Sequence, residues 1–213
     1  MARAARRAGR EPDDVTIIGV CKTVARDQVD AAYALGLRHF GENRVQDAAR
    51  KFASPLAGDA ELHMIGQLQT NKVRLAAPLF DVFQSVDRPS LIDALEREGE
   101  RLARRLKVLV QVNVAGEAQK AGCGIDAAPA LLARVLESPH LAISGLMTIA
   151  PLVTDPEQVR PVFQGLRKLR DDLCRSHPDA TLDVLSMGMS DDYAVAIEEG
   201  ATHVRIGRAI FQD

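Results

Sequence analysis

The chain has 213 residues, 46% of them hydrophobic, and a formal net charge of −2. This balance suits one globular domain with a sizeable core and excludes a disordered chain. Charges of both signs are mixed along the sequence, which leaves no basic footprint for nucleic acid, and no apolar run approaches the ~20 residues that span a bilayer.

The basic start, with Arg3, Arg6 and Arg7, lacks the serines of a transit peptide and is read as the end of a short helix. Residues 15–21 form the first strand. Residues 28–35 carry apolar side chains at helical spacing, and Gly36 stops that helix. A short strand over 37–41 follows, then a helix over 44–52 that ends at Ser54-Pro55. The third strand covers 62–65 and precedes a helix near 71–75. The fourth, 82–86, precedes a charged helix over 89–104 with Leu91, Ile92, Leu95 and Leu102 on one side. Residues 108–114 are the plainest strand, 127–136 a helix and 141–147 the sixth strand. A long helix over 157–176, a strand over 182–185, a helix over 193–199 and a strand over 204–206 complete the pattern. Eight βα repeats predict a parallel sheet, because parallel neighbours need a crossover of a dozen residues or more. Eight units favour a closed (β/α)₈ TIM barrel over an open doubly wound sheet, as a single domain over 1–213. Cys21, Cys123 and Cys174 show no zinc or redox spacing and follow no secretory signal, which points to free thiols and a cytoplasmic protein.

In such a barrel the chemistry lies at the C-terminal ends of the strands. Lys22 follows the first strand and is either a solvated charge or an amine held over a pocket. Gly41-Glu42-Asn43 ends the second strand, His63 and Gly66 belong to the third, Ser85 and Asp87 to the fourth, and Asn113 to the fifth. Met147 ends the sixth, Ser186-Met187-Gly188-Met189-Ser190 follows the seventh, and Arg205-Ile206-Gly207-Arg208 closes the eighth. Two serines and a glycine before a helix, with Gly207 beside them, make a candidate phosphate cradle, since helix N-terminal amides favour anions. The alternative for this stretch is a plain helix cap by Ser190. Other phosphate and hydrolase signatures are missing: no G-x-x-x-x-G-K-[ST], no G-x-G-x-x-G after a strand and no G-x-S-x-G. His39, His63, His140, His177 and His203 are scattered without H-E-x-x-H, which argues against a metal site and leaves His63 as a packed barrel residue.

Taken in order, Val20-Cys21-Lys22-Thr23, Phe40-Gly41-Glu42-Asn43-Arg44-Val45-Gln46, His63-Met64-Ile65-Gly66-Gln67-Leu68-Gln69-Thr70-Asn71-Lys72, Ser85-Val86-Asp87-Arg88, Gln111-Val112-Asn113, Gly145-Leu146-Met147-Thr148-Ile149, Leu185-Ser186-Met187-Gly188-Met189-Ser190-Asp191-Asp192 and Val204-Arg205-Ile206-Gly207 resemble the pyridoxal phosphate homeostasis proteins of the YggS/PROSC type. The resemblance covers almost the whole chain. It implies a fold type III barrel like the N-terminal domain of alanine racemase, without the racemases' C-terminal β-domain, holding pyridoxal 5′-phosphate (PLP) as a Schiff base on Lys22. It further implies that Arg205 faces the pyridine nitrogen, that Asn43 and Met147 border the ring, and that Ser186, Gly188, Ser190 and Gly207 surround the phosphate. Arg208 would add at least its backbone amide. Lys120 matches a family lysine linked to cofactor exchange; read on its own it is a solvated loop lysine. The chain departs from the family pattern at Cys21, usually serine, and at Arg208, usually threonine or serine. It also departs at both ends, with a short N-terminal helix and Phe211-Gln212-Asp213 in place of Phe-Gly and further residues.

Arginine is always protonated and accepts nothing, so it would keep the pyridine nitrogen unprotonated and weaken the ring as an electron sink. Racemisation needs a second base, which racemases take from a tyrosine on the C-terminal β-domain; here Tyr193 is the one candidate, and a packing role suits it better. The expectation is a carrier without a catalytic residue that stores, buffers or delivers PLP, acting as a monomer towards apo PLP-dependent enzymes and engaging neither nucleic acid nor membrane. The alternatives are a PLP-dependent amino-acid racemase and a cofactor-free Schiff-base lyase of aldolase type.

Overall fold

The computed structural model describes residues 1–117 and 119–211. Eight parallel strands close into a barrel in sequence order: β1 (Thr16–Val20), β2 (His39–Glu42), β3 (Glu61–Met64), β4 (Val82–Val86), β5 (Leu106–Gln111), β6 (Leu141–Met147), β7 (Val184–Met189) and β8 (His203–Ile206). β8 pairs back onto β1, with Thr16 opposite His203 and Gly19 opposite Ile206. The crossovers carry α2 (Arg26–Ala34), α3 (Val45–Lys51), α4 (Val73–Ala76), α5 (Pro89–Arg101), α6 (Ala128–Leu136), α7 (Arg160–Ser176) and α8 (Tyr193–Glu198), with α1 (Ala2–Arg7) before β1 and α9 (Arg208–Phe211) after β8.

The strand period of two sorts apolar residues into two layers. Phe83, Val108, Val110 and Leu185 belong to the large core between the strands and the helices, while their neighbours Val82, Leu109 and Val184 join Met147 in a small cluster of their own. The helices answer with single apolar stripes. α5 buries Leu91, Ile92 and Leu95, and α7 buries Phe163, Leu166, Leu169 and Leu173, their charged faces turned outward. α1 packs on α8, and Arg10 donates to the carbonyl of Ala201 at 2.7 Å. Phe211 of α9 reaches the outer side of β1, 3.3 Å from where a Cβ on Gly19 would sit.

Several boundaries differ from the sequence expectation. β5 begins at Leu106 and ends at Gln111; Val112 makes only an isolated bridge with Cys123. The segment expected as a helix near 71–75 is a 3₁₀ turn, Thr70–Lys72, running into α4. The largest change is at β7, which runs on to Met189, so that Ser186, Met187 and Gly188 stand on the strand and not in the loop after it.

Candidate functional site

The C-terminal mouth of the barrel opens on a cavity of about 750 Å³. Lys22 stands on its wall, exposed, and among the described residues its amine has no ion-pair partner. The backbone beneath it is held from behind. The Cys21 side chain is fully buried, with its thiol 3.4 Å from the carbonyl of Gly41 and 3.6 Å from Glu42 Oε1. Burial, and then the Glu42 carboxylate, push that thiol up to about 12, so Cys21 is a protonated spacer and not a nucleophile. Glu42 is itself fully buried and pairs through Oε1 with Lys51 Nζ at 2.6 Å; the same ammonium donates to the Cys21 carbonyl. Lys51, from the last turn of α3, thus fixes the peptide that carries Lys22. In the sequence Lys51 looks like a solvated helix residue. The one signal for it was Glu42, a carboxylate ending an apolar strand, which needs a cation to be buried.

Arg205 enters the cavity from β8, only 4% exposed. Its Nη1 donates to Ser186 Oγ at 2.7 Å and its Nη2 to the carbonyl of Thr148 at 2.8 Å. Burial lowers it to about 10, against the pull of Asp192, so it remains a cation at neutral pH. Ser186 Oγ in turn donates to Gln84 Oε1 at 2.7 Å. Both bonds lie inside the barrel, where the guanidinium plane is fixed before any ligand arrives.

Lys22, Asn43, Ser190, Arg205, Gly207 and Arg208 all line this cavity. Met147, Ser186 and Gly188 do not. Met147 is fully buried in the inner cluster with Val82 and Leu109. Ser186 is fully buried and engaged by Arg205 and Gln84, because the longer β7 turns it into the barrel interior. Gly188 has φ +92°, and a Cβ there would meet Cβ of Ala196 at 2.6 Å; glycine is required for α8 to settle against β7. The Arg208 side chain turns along the rim, its Nη2 2.8 and 3.1 Å from the Asp191 carboxylate oxygens. Lys120 lies in the loop after β5, its Nζ 3.4 Å from Glu117, and does not line the cavity. Tyr193 packs against the core at the start of α8. Gly66 lines the cavity as well: a Cβ on it would come 2.2 Å from the Asn43 carbonyl, so glycine lets the turn after β2 bring Asn43 to the mouth.

A family model for the N-terminal domain of alanine racemase matches residues 2–213, as a parallel barrel with its cavity walled by the lysine after β1 and the arginine on β8 suggests. Within that class the chain belongs to the pyridoxal phosphate homeostasis protein family. It is 42% identical over 209 residues to the pyridoxal phosphate homeostasis protein of Aquifex aeolicus, a match covering 98% of this chain and 91% of that one. It is 42% identical over 208 residues to the protein of that name from Pseudomonas aeruginosa, covering 98% and 88%. The solved structure of PipY from Synechococcus elongatus PCC7942 with PLP bound matches with a TM-score of 0.87 at 36% identity, over 98% of each chain.

Proposed function

We propose that this chain holds PLP at the C-terminal mouth of its barrel and keeps the cofactor available to apo-enzymes in the cytoplasm, acting as a monomer. The observation that carries this reading is the pairing of Lys22, an amine without an ion-pair partner among the described residues, with a buried, pre-oriented Arg205 on one cavity of about 750 Å³, a volume suited to a small ligand. When bound, the cofactor brings an aldehyde that a primary amine can capture and a phosphate that amides and hydroxyls can bind. Lys22 supplies the amine, and the Lys51–Glu42 pair fixes its peptide. Ser190, Gly207 and the backbone amide of Arg208 would surround the phosphate, and Asn43 would border the ring. Arg205 donates and cannot accept, so a ring nitrogen facing it stays an acceptor. Among the described residues lining the cavity there is no Tyr, His, Cys or Glu, and the carboxylate there, Asp191, pairs with Arg208. A second base opposite Lys22 is what racemisation requires, and this lining favours carriage. Among the described residues no helix is long and apolar enough to cross a membrane.

The test is to incubate purified protein with PLP, reduce it with borohydride and map the adduct by mass spectrometry. The adduct is expected on the peptide containing Lys22 and absent in Lys22→Ala. No uptake, or an adduct on another lysine, overturns the assignment. Loss of optical activity from alanine at enzymatic rates would replace carriage by racemisation.

A further inference from the structure

The opposite, N-terminal mouth holds a group of side chains that cofactor binding leaves unused. β2 and β3 pair with His39 opposite Glu61 and Gly41 opposite His63, so His39, Glu61 and His63 come together on one face of the two strands. Scattered in the sequence, they meet in space. His39 Nδ1 is 3.1 Å from His63 Nε2 and 3.5 Å from Glu61 Oε2, and His63 Nε2 is 3.8 Å from that same oxygen. A point equidistant from the three atoms lies about 2.0 Å from each, the length of a bond from zinc to imidazole nitrogen or carboxylate oxygen. Lys107 Nζ holds Glu61 by its other oxygen, Oε1, at 2.7 Å, which leaves Oε2 turned to the imidazoles. A cavity of about 300 Å³, lined among others by Glu61, His63, Lys107 and His203, adjoins the three donors. His39 and Glu61 keep side-chain exposures of 29% and 31%, so an ion has an entry path.

We propose that His39, Glu61 and His63 form a binding site for a divalent transition-metal ion, with its remaining coordination positions open to the N-terminal cavity. Two imidazoles and one carboxylate suit zinc and its neighbours better than magnesium or calcium, which prefer all-oxygen shells. Without metal, the two imidazoles share one N–H···N hydrogen bond; on binding, that proton moves to the other nitrogen of its own ring, both ligands stay neutral imidazoles, and the ion takes the vacated position. Ligation through Nε2 leaves the His63 proton on Nδ1, which stands 3.0 Å from the Gln84 amide. Gln84 must then turn its amide so that Oε1 accepts from His63 and Nε2 faces Ser186 Oγ, which in the metal-bound form accepts from Gln84 as it does from Arg205, in place of its donation to Oε1 without metal.

The experiment uses the full chain, stripped with a chelator and without added PLP, so that it stands apart from the cofactor assignment. Calorimetric titration with Zn²⁺ should show one equivalent bound. His39→Gln and Glu61→Gln should each weaken binding at least about tenfold. Co²⁺ in place of Zn²⁺ should give visible d–d bands without the intense near-ultraviolet band of thiolate ligation. Ring NMR of the unsubstituted protein should show the His39 and His63 signals moving on Zn²⁺ addition, a readout that needs no variant to fold. Absence of saturable binding, a thiolate band, unchanged affinity in both folded variants, or unmoved His39 and His63 signals would each overturn the site.

Discussion

The two mouths of this barrel are both polar, and they differ in how their charges are satisfied. At the C-terminal mouth Lys22 lines an open cavity without an ion-pair partner among the described residues, while the strength lies behind it, in the buried pair of Glu42 and Lys51. At the N-terminal mouth His39, Glu61, His63 and Lys107 satisfy one another. Between the two runs a line of polar contacts from His63 through Gln84 and Ser186 to Arg205. An unpartnered charge persists only where water or a ligand reaches it, so the first mouth is built to receive a partner and the second to hold itself together until an ion takes the position that a proton vacates.

The sharpest way to break this contrast is Lys22→Ala. It should abolish borohydride-fixable PLP and weaken retention by about a hundredfold or more, or ~2.7 kcal/mol, while leaving stability within ~0.5 kcal/mol because the side chain is exposed. Lys51→Met should do the reverse first. It strands a buried Glu42 carboxylate and should lower unfolding free energy by about 3–5 kcal/mol in urea titration, with part restored by adding Glu42→Gln. Equal stability losses in the two lysine variants would erase the distinction.

The N-terminal mouth should show itself through pH. Burial lowers His63 to about 3 and His203 to about 4, while an unfolded histidine titrates near ~6.5. Between those values the unfolded chain binds protons that the folded chain refuses, so stability rises with pH in that window. It is fully present above about pH 6.5 and is lost as pH falls towards the folded values, by a few kcal/mol. Urea midpoints at pH 7.5 and 5 measure this, and His63→Gln should flatten the dependence. Ser186→Ala tests the connection between the mouths: it removes the acceptor for Arg205 and a donor to Gln84, and should cost about 1–3 kcal/mol of stability together with a loss of PLP affinity. Arg208→Ala should be the mildest, within ~0.5 kcal/mol in stability, since its pair with Asp191 is exposed on both sides.

Most of the barrel was legible because its signals are local. Apolar runs of strand length alternate with helical stripes such as Leu91, Ile92 and Leu95, and eight repeats admit few other closures. Local signals mislead at the seventh strand, which runs on to Met189. Ser186 and Gly188 look like loop residues, yet Ser186 belongs inside the barrel as a partner for Arg205, and Gly188 is required by the approach of α8. The cavity residues Lys22, Asn43, Ser190, Arg205 and Gly207 were legible from their place at strand ends and from the family motifs they stand in. Lys51 was not, because its partner Glu42 lies on another element.

By itself, then, the sequence determined the number and order of the strands, which follow from hydrophobic period, and the strand ends where Lys22 and Arg205 would stand. Only the tertiary structure decided which polar groups are consumed inside the barrel and which are left to face the cavity. It alone brought His39, Glu61 and His63 within bonding distance of one point, because strand register, which no single segment encodes, places residues from separate strands side by side.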